Sequence, residues 1–273
     1  MKLLQKIIII SVGLFMTGCE KAINVPLQTA SPRLVIDASI DWIKNTAGNE
    51  QKIVLSTTTG YYSSEFPSIS GAVVTVTNAS NTVFNFVETP GTGQYVCHNF
   101  LPVIGQTYNL KIVLNGETYT ASETLTPVPK IEDNIDQNDK GGEMGDEIEV
   151  TFSYKDDASQ ANCYLNSITQ PHSPFPELEV EDDEHTNGNL MQESFSHEHL
   201  KPGDQVNFKL YGISKSYYNY MFKLTLATGN DGNPFPTIPS AARGNIINQT
   251  NNNNYAFGYF RLAEMDSKSY TIK

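Results

Sequence analysis

The chain has 273 residues, with 18 Lys and Arg against 30 Asp and Glu, a formal charge of −12. Hydrophobic residues make up 39%, alongside 19 Gly and 14 Pro, which fits a globular chain and excludes collagen-like or disordered composition. So negative a chain offers no clustered cationic face for phosphate, so nucleic acid is not an expected partner, and three cysteines exclude a disulfide scaffold or a cysteine-rich zinc module.

Lys2 and Lys6 form a basic start, followed by an apolar run from Ile7 to Met16 that is too short to span a bilayer. Thr17 and Gly18 then lead directly into Cys19. This order resembles a bacterial lipoprotein signal, with Met16-Thr17-Gly18-Cys19 as the lipobox and Met16 in place of the usual Leu. The resemblance implies removal of residues 1–18 and acylation of Cys19, which holds a soluble body on a membrane through buried methylenes. An ordinary secretory signal cut elsewhere is the plainer alternative. Glu20 after the cysteine argues, on the same resemblance, for the outer membrane, with its surface and periplasmic faces both open.

Residues 19–31 lack periodicity, contain Pro26 and read as a tether. From Pro32 onward, short alternating or β-branched runs recur: Leu34–Ile36, Ile53–Ser56, Ala72–Val76, Val83–Val87, Gln94–Cys97, Tyr108–Val113 and Thr118–Ala121. Asn115-Gly116 between the last two predicts a two-residue hairpin turn, and Asn78–Asn81 and Pro90–Gly93 predict two more. Residues 32–129 are therefore expected to form an antiparallel β-sandwich. Ser70–Val76, Gly93-Gln94-Tyr95 and Gly105–Tyr108 resemble the Ig-like sandwich of transthyretin-like and carboxypeptidase-regulatory-like domains, which implies a spacer or platform.

Pro127-Val128-Pro129 marks a boundary, so residues 130–273 are expected to form a second, β-rich domain. Ile131–Glu147 reads as a polar loop, Ile148–Tyr154 and Gln205–Leu210 as strands, and His172–Asp183 as an extended solvated segment. One helix is expected near 214–228: Ser214 can cap it, Tyr217, Met221 and Leu224 share a face, and Gly229 stops it. Phe222–Leu226 also alternates, so a strand is the rival there. Tyr255–Leu262 and Ser269–Ile272 read as two closing strands. The expected class is mainly β.

Several of these stretches occur in a recognisable order. They are the lipobox, Leu34-Val35-Ile36-Asp37, Val54-Leu55-Ser56, Ser70–Val74, Asp182–His185 before Asn187-Gly188, and Ile213-Ser214-Lys215 before Tyr217-Tyr218. Asn233-Pro234-Phe235, Gly244-Asn245-Ile246 and Gly258-Tyr259-Phe260 complete the set. This order resembles a family of Bacteroidota lipoproteins known by a domain of unknown function, number 4249. The resemblance implies a cell-envelope accessory near TonB-dependent outer-membrane receptors, and it carries no established catalytic or ligand residues.

Among chemical groups, Glu177, Glu179, Glu181, Asp182, Asp183, Glu184, His185, His197, Glu198 and His199 stand out. Alternate residues of a strand share a face, so His197 and His199 could meet a metal completed by Glu181 or Asp183, with His185 nearby. A run of acids beside turns is equally a solvated face. Asp136 to Glu147 nearly has EF-hand spacing, but Lys140 replaces an oxygen ligand and no helices flank it. Cys97 and Cys163 could pair across the two halves or remain buried thiols. Trp42, Tyr61, Tyr62, Tyr217, Tyr218 and Tyr220 are either stacking surfaces for sugars or core. No Gly-x-Ser-x-Gly, Ser-x-x-Lys or His-Glu-x-x-His is present, so no catalytic residue and no cofactor is assigned. Three functions follow in order: a non-enzymatic lipid-anchored partner of a TonB-dependent transporter, a surface protein binding divalent metal or glycan, and a hydrolase with a scattered site.

Overall fold

Alternation decides the first strand. In β1 (Leu34–Ile43), Ile36, Ala38 and Ile40 are fully buried on one face, which leaves Asp37, Ser39 and Asp41 on the other. The computed structural model describes residues 31–60, 63, 65–228 and 242–273. The signal, Cys19, the expected tether to Ala30, Tyr61-Tyr62, and residues 229–241 with Asn233-Pro234-Phe235 lie outside the described residues. The described residues of 32–59 and 63–273 form one unit.

The same period of two builds β2 (Gln51–Thr57), β3 (Val73–Asn78), β4 (Val83–Thr89), β5 (Gln94–Cys97), β6 (Thr107–Leu114) and β7 (Glu117–Thr124). Their inward side chains include Ile53, Leu55, Val74, Val76, Phe84, Phe86, Tyr95, Tyr108, Leu110 and Ile112, and these form one cluster with Ile36, Ala38 and Ile40. Asn115 and Gly116 both have positive φ, 49° and 81°, as the two-residue turn between β6 and β7 requires. Asn78 is buried, and its Oδ1 accepts the amides of Ser80 and Thr82, which organises the turn into β4.

The second half holds β8 (Asp136–Gly141), β9 (Glu147–Lys155), β10 (Cys163–Thr169), β11 (Glu177–Asp182), β12 (Leu190–Ser196) and β13 (Gln205–Gly212). It ends with α1 (Lys215–Thr228), β14 (Ile247–Asn248) and β15 (Phe257–Thr271). The strands make a twelve-stranded curled sheet, ordered β11-β10-β13-β15-β1-β2-β5-β4-β3-β6-β7-β14, and a three-stranded sheet, β12-β9-β8. A second cluster, with Val150, Phe152, Tyr154, Tyr164, Phe195 and Phe208, draws on both sheets. A third contains Leu165, Tyr211, Tyr217, Met221, Tyr259 and Met265, where α1 packs.

The class is mainly β with one helix among the described residues, as the alternation predicts. Ser214 Oγ accepts the Tyr217 amide at 3.1 Å, so the expected cap is in place, and Phe222–Leu226 is helical rather than a strand. Three expectations are corrected. The two closing strands are one, β15, whose first half pairs in parallel with β1 and whose second half pairs antiparallel with β13. All pairings among β1 to β7 are antiparallel, as expected for residues 32–129, and the parallel pair joins β1 to a strand of the second half. Asp136 pairs with Thr151 and Gly141 with Glu147, so the expected polar loop of Ile131–Glu147 contains a strand and forms a hairpin with β9. The extended segment before Asp183 contains β11, which hydrogen-bonds along β10.

A buried clasp holds the crossing from β7 to β8. Glu264 Oε2 accepts Lys44 Nζ at 2.8 Å and the Val128 amide at 3.0 Å, while Asp266 Oδ2 accepts the Ile131 amide at 2.7 Å. Thr126 Oγ1 donates to the Gly212 carbonyl at 2.5 Å.

Candidate functional site

The acidic and histidine constellation of residues 177–199 is divided among three places. The first lies between the sheets, at the edges β11 and β12. Glu181 Oε1 accepts Tyr154 Oη at 2.5 Å and Asn166 Nδ2 at 3.0 Å. Glu193 faces it from β12. Burial, then the charge of Glu181, with Glu179 further off, pushes the Glu193 carboxyl up to about 9. Burial and Glu181 raise Glu179 as well.

The second place is structural. Asp183 is buried; its Oδ2 accepts the Asn162 amide at 2.8 Å and its own amide donates to the Asn162 carbonyl at 3.2 Å. Nearby, Asp156 accepts Tyr164 Oη at 2.5 Å and the Gly188 amide at 2.6 Å. His185 is exposed on the turn that these bonds close. Asp183 is thus spent on backbone.

The third place contains a residue that sequence reasoning missed. His172 joins His197 and His199, with ring centroids 5.4–6.1 Å apart. His172 Nε2 lies 2.7 Å from Asp204 Oδ2, and this contact holds the Asp204 carboxyl below its ordinary value. His197 Nδ1 accepts the His199 amide at 3.2 Å. In the neutral ring Nε2 then carries the proton and has no lone pair for a metal. Among the described residues, no group of three or more His, Cys, Asp or Glu side chains is placed to hold a metal ion. The expected grouping of Glu181, Asp183, His185, His197 and His199 around one metal is therefore corrected, because the fold puts Glu181, Asp183 and the His197–His199 pair in three separate places and leaves His185 exposed.

Cys97 and Cys163 are free and buried, Cys97 in the first cluster and Cys163 in the third, so the pairing that would join the halves is not formed. Burial raises both thiols, Cys163 to about 11. Of the aromatics, Tyr217 and Tyr220 pack on Tyr259 with centroids 4.9 Å away, and Trp42 leans on the first cluster while its Nε1 donates to the Thr46 carbonyl at 2.9 Å. These serve the core.

Two further features have no signal in the sequence. Arg261 is buried; its Nη2 lies 2.6 and 2.8 Å from the oxygens of Asp41, and its guanidinium sits over the rings of Tyr211 and Tyr217. Burial raises the Asp41 carboxyl despite this cation. A recess of about 500 Å³ is lined by Thr75, Thr77, Asn109, Lys111, Thr120 and Ser122 on β3, β6 and β7, with Asn245 and Ile247. Hydroxyl and amide groups are set there among a mostly apolar surface to which Leu110, Ala121 and Ile247 contribute.

These features define a mainly β chain with a recess on one sheet and a carboxylate pair between two sheet edges. The chain belongs to the family described as a domain of unknown function, DUF4249, whose model matches residues 20–269. No curated protein matches it in sequence. Among solved structures it is similar to a two fibronectin type-III domain segment of chicken tenascin, at 15% identity, covering 66% of this chain and 90% of that one, with a TM-score of 0.21. A DUF4785 family protein from Legionella pneumophila matches at 8% identity over 66% of this chain and 51% of its own, with a TM-score of 0.26. The FN1–FN3 domains of chicken CNTN1 match at 15% identity over 64% and 57%, with a TM-score of 0.24.

Proposed function

We propose that this chain is a Bacteroidota cell-envelope lipoprotein, anchored in the outer membrane by acyl chains on Cys19. It acts without catalysis as an accessory partner of a TonB-dependent transporter. The observation that carries this reading is the run Met16-Thr17-Gly18-Cys19 after a basic start and a short apolar stretch. Each acyl methylene buried in the bilayer contributes about 0.8 kcal/mol, and a single chain holds only marginally, so stable anchoring takes more than one. Among the described residues no helix is long and apolar enough to cross a membrane. Membership in the family supports the reading, and a β-rich body is suited to presenting surfaces.

The test has two arms. Mass spectrometry of the native protein should find Cys19 as the first residue, carrying acyl chains, and Cys19→Ala should move the protein out of the membrane fraction. Cross-linking and co-purification from the native envelope should then recover a TonB-dependent receptor. An unmodified Cys19 refutes the anchoring; a clean preparation without any outer-membrane partner refutes the role. The hydroxyl- and amide-lined recess favours a second reading, glycan binding, because such groups match sugar hydroxyls. Weakened glycan-array binding after Thr77→Val with Asn109→Leu would support it.

A further inference from the structure

Cross-strand partners share a face of a sheet, so Glu177, Glu179 and Glu181 of β11 lie on the face of Ile168, Asn166 and Tyr164. That face packs into the second hydrophobic cluster. On β12, Met191 and Phe195 turn toward the same cluster, and Glu193 lies between them. β11 and β12 end their respective sheets. Carboxylates from both edges therefore occupy positions that alternation gives to apolar side chains.

Asn166 is the second observation. It is 2% exposed; its Nδ2 donates to Glu181, while its Oδ1 is buried with no hydrogen-bond partner. A buried carbonyl oxygen without a donor is uncommon and is satisfied by a bound water or a cation. Its amide nitrogen touches Glu181, and its cross-strand partner is Glu179, so the unpaired carbonyl belongs to the same group of side chains.

We propose that the mouth between β11 and β12 is a calcium site, in which Glu181 and Glu193 supply carboxylate oxygens and Asn166 supplies its side-chain carbonyl, with water completing the shell. The donor set is all oxygen, as a hard cation requires, and it omits histidine and thiol. Its members stand on three strands of two sheets, which suits the variable geometry of calcium better than the rigid octahedron of magnesium. Two carboxylates, rather than the three or more of a strong site, place it with weak extracellular modules, whose dissociation constants are about 10⁻⁴–10⁻³ M. The ion would tie the two sheet edges together.

The full chain in detergent, stripped with EDTA, is titrated with Ca²⁺ by calorimetry and with Tb³⁺ by luminescence excited through tyrosine, since Tyr154 touches Glu181. One Ca²⁺ per chain is expected, with a rise in melting temperature and displacement of Tb³⁺ by Ca²⁺. Glu181→Gln and Asn166→Leu should each weaken binding at least about tenfold, and His199→Ala should leave it unchanged. Glu193→Gln keeps a hydrogen-bond donor toward Glu181, so it should fold normally and still lose affinity. No Ca²⁺ binding up to about 10 mM overturns the proposal, as does equal affinity for Mg²⁺ or wild-type affinity in folded Glu193→Gln.

Discussion

Glu264→Ala should open the clasp that joins the first hydrophobic cluster to the second. Glu264 is 7% exposed, and one carboxylate oxygen serves both Lys44 Nζ at 2.8 Å and the Val128 amide at 3.0 Å. Removing it deletes a charge-assisted bond, about 1.5–3 kcal/mol, and leaves a buried amide without an acceptor, about 1–3 kcal/mol. Lys44 still donates to the Val128 carbonyl at 2.8 Å and its side chain is 24% exposed, so water relieves part of its loss. The low half of each range is the fitting one, about 3 kcal/mol in total. Glu264→Gln keeps an acceptor for Val128 and loses only the charge, so about 1 kcal/mol is expected. Urea unfolding at pH 7 reads both, with the slope checked to confirm that the midpoint shift is a change in stability. A double-mutant cycle with Lys44→Met isolates the ion pair. A loss below about 1 kcal/mol for the alanine variant, or equal losses for alanine and glutamine, refutes the reasoning.

At Glu193, burial and the carboxylates of Glu181 and Glu179 raise the folded value from 4.5 to about 9, so the native state holds an extra proton between those pH values. That stabilising contribution is complete below pH 4.5 and is lost as the pH rises through 9. In EDTA, therefore, Glu193→Gln should gain stability relative to the wild type progressively from pH 5 to 9 by urea midpoint, and a constant difference counts against the raised value. Cys97 and Cys163, buried with raised thiols, should resist iodoacetamide at pH 8 in the native protein and both react in denaturant; rapid native labelling of either contradicts their burial. Gly116→Ala meets nothing within 4 Å and should cost only the φ of +81°, about 1–2 kcal/mol, whereas a Cβ on Gly212 would run into the Pro127 carbonyl. Gly212→Ala should therefore lower the melting temperature far more, and equal effects would refute the close approach.

Much of the first half was readable from alternation. Ile53, Leu55, Val74, Val76, Tyr108 and Leu110 are buried where a period of two puts them, and Asn115-Gly116 makes its turn from intrinsic φ preferences alone. The helix was readable from Ser214, Tyr217 and Met221. β8 and β11 were not, because Asp136–Gly141 and Glu177–Asp182 carry little apolar signal and owe their extension to pairing with β9 and β10. The one-strand nature of β15 was hidden because Glu264 and Asp266 look like a break, yet both are consumed by Lys44, Val128 and Ile131. His172 lacked any signal, since its neighbours His197 and His199 are distant in sequence.

Local chemistry along the chain determined the strand-rich class, the tight turns, the capped helix and the lipoprotein-like start, because each depends on residues within a few positions of one another. Only the tertiary structure decided that Asp183 would hold backbone, that three histidines would gather at Asp204, and that Glu181 would meet Glu193 where two sheet edges come together. Those outcomes depend on which strands become neighbours. Neighbourhood is settled by the burial of whole faces, and a carboxylate's chemistry is set by whatever that burial brings beside it.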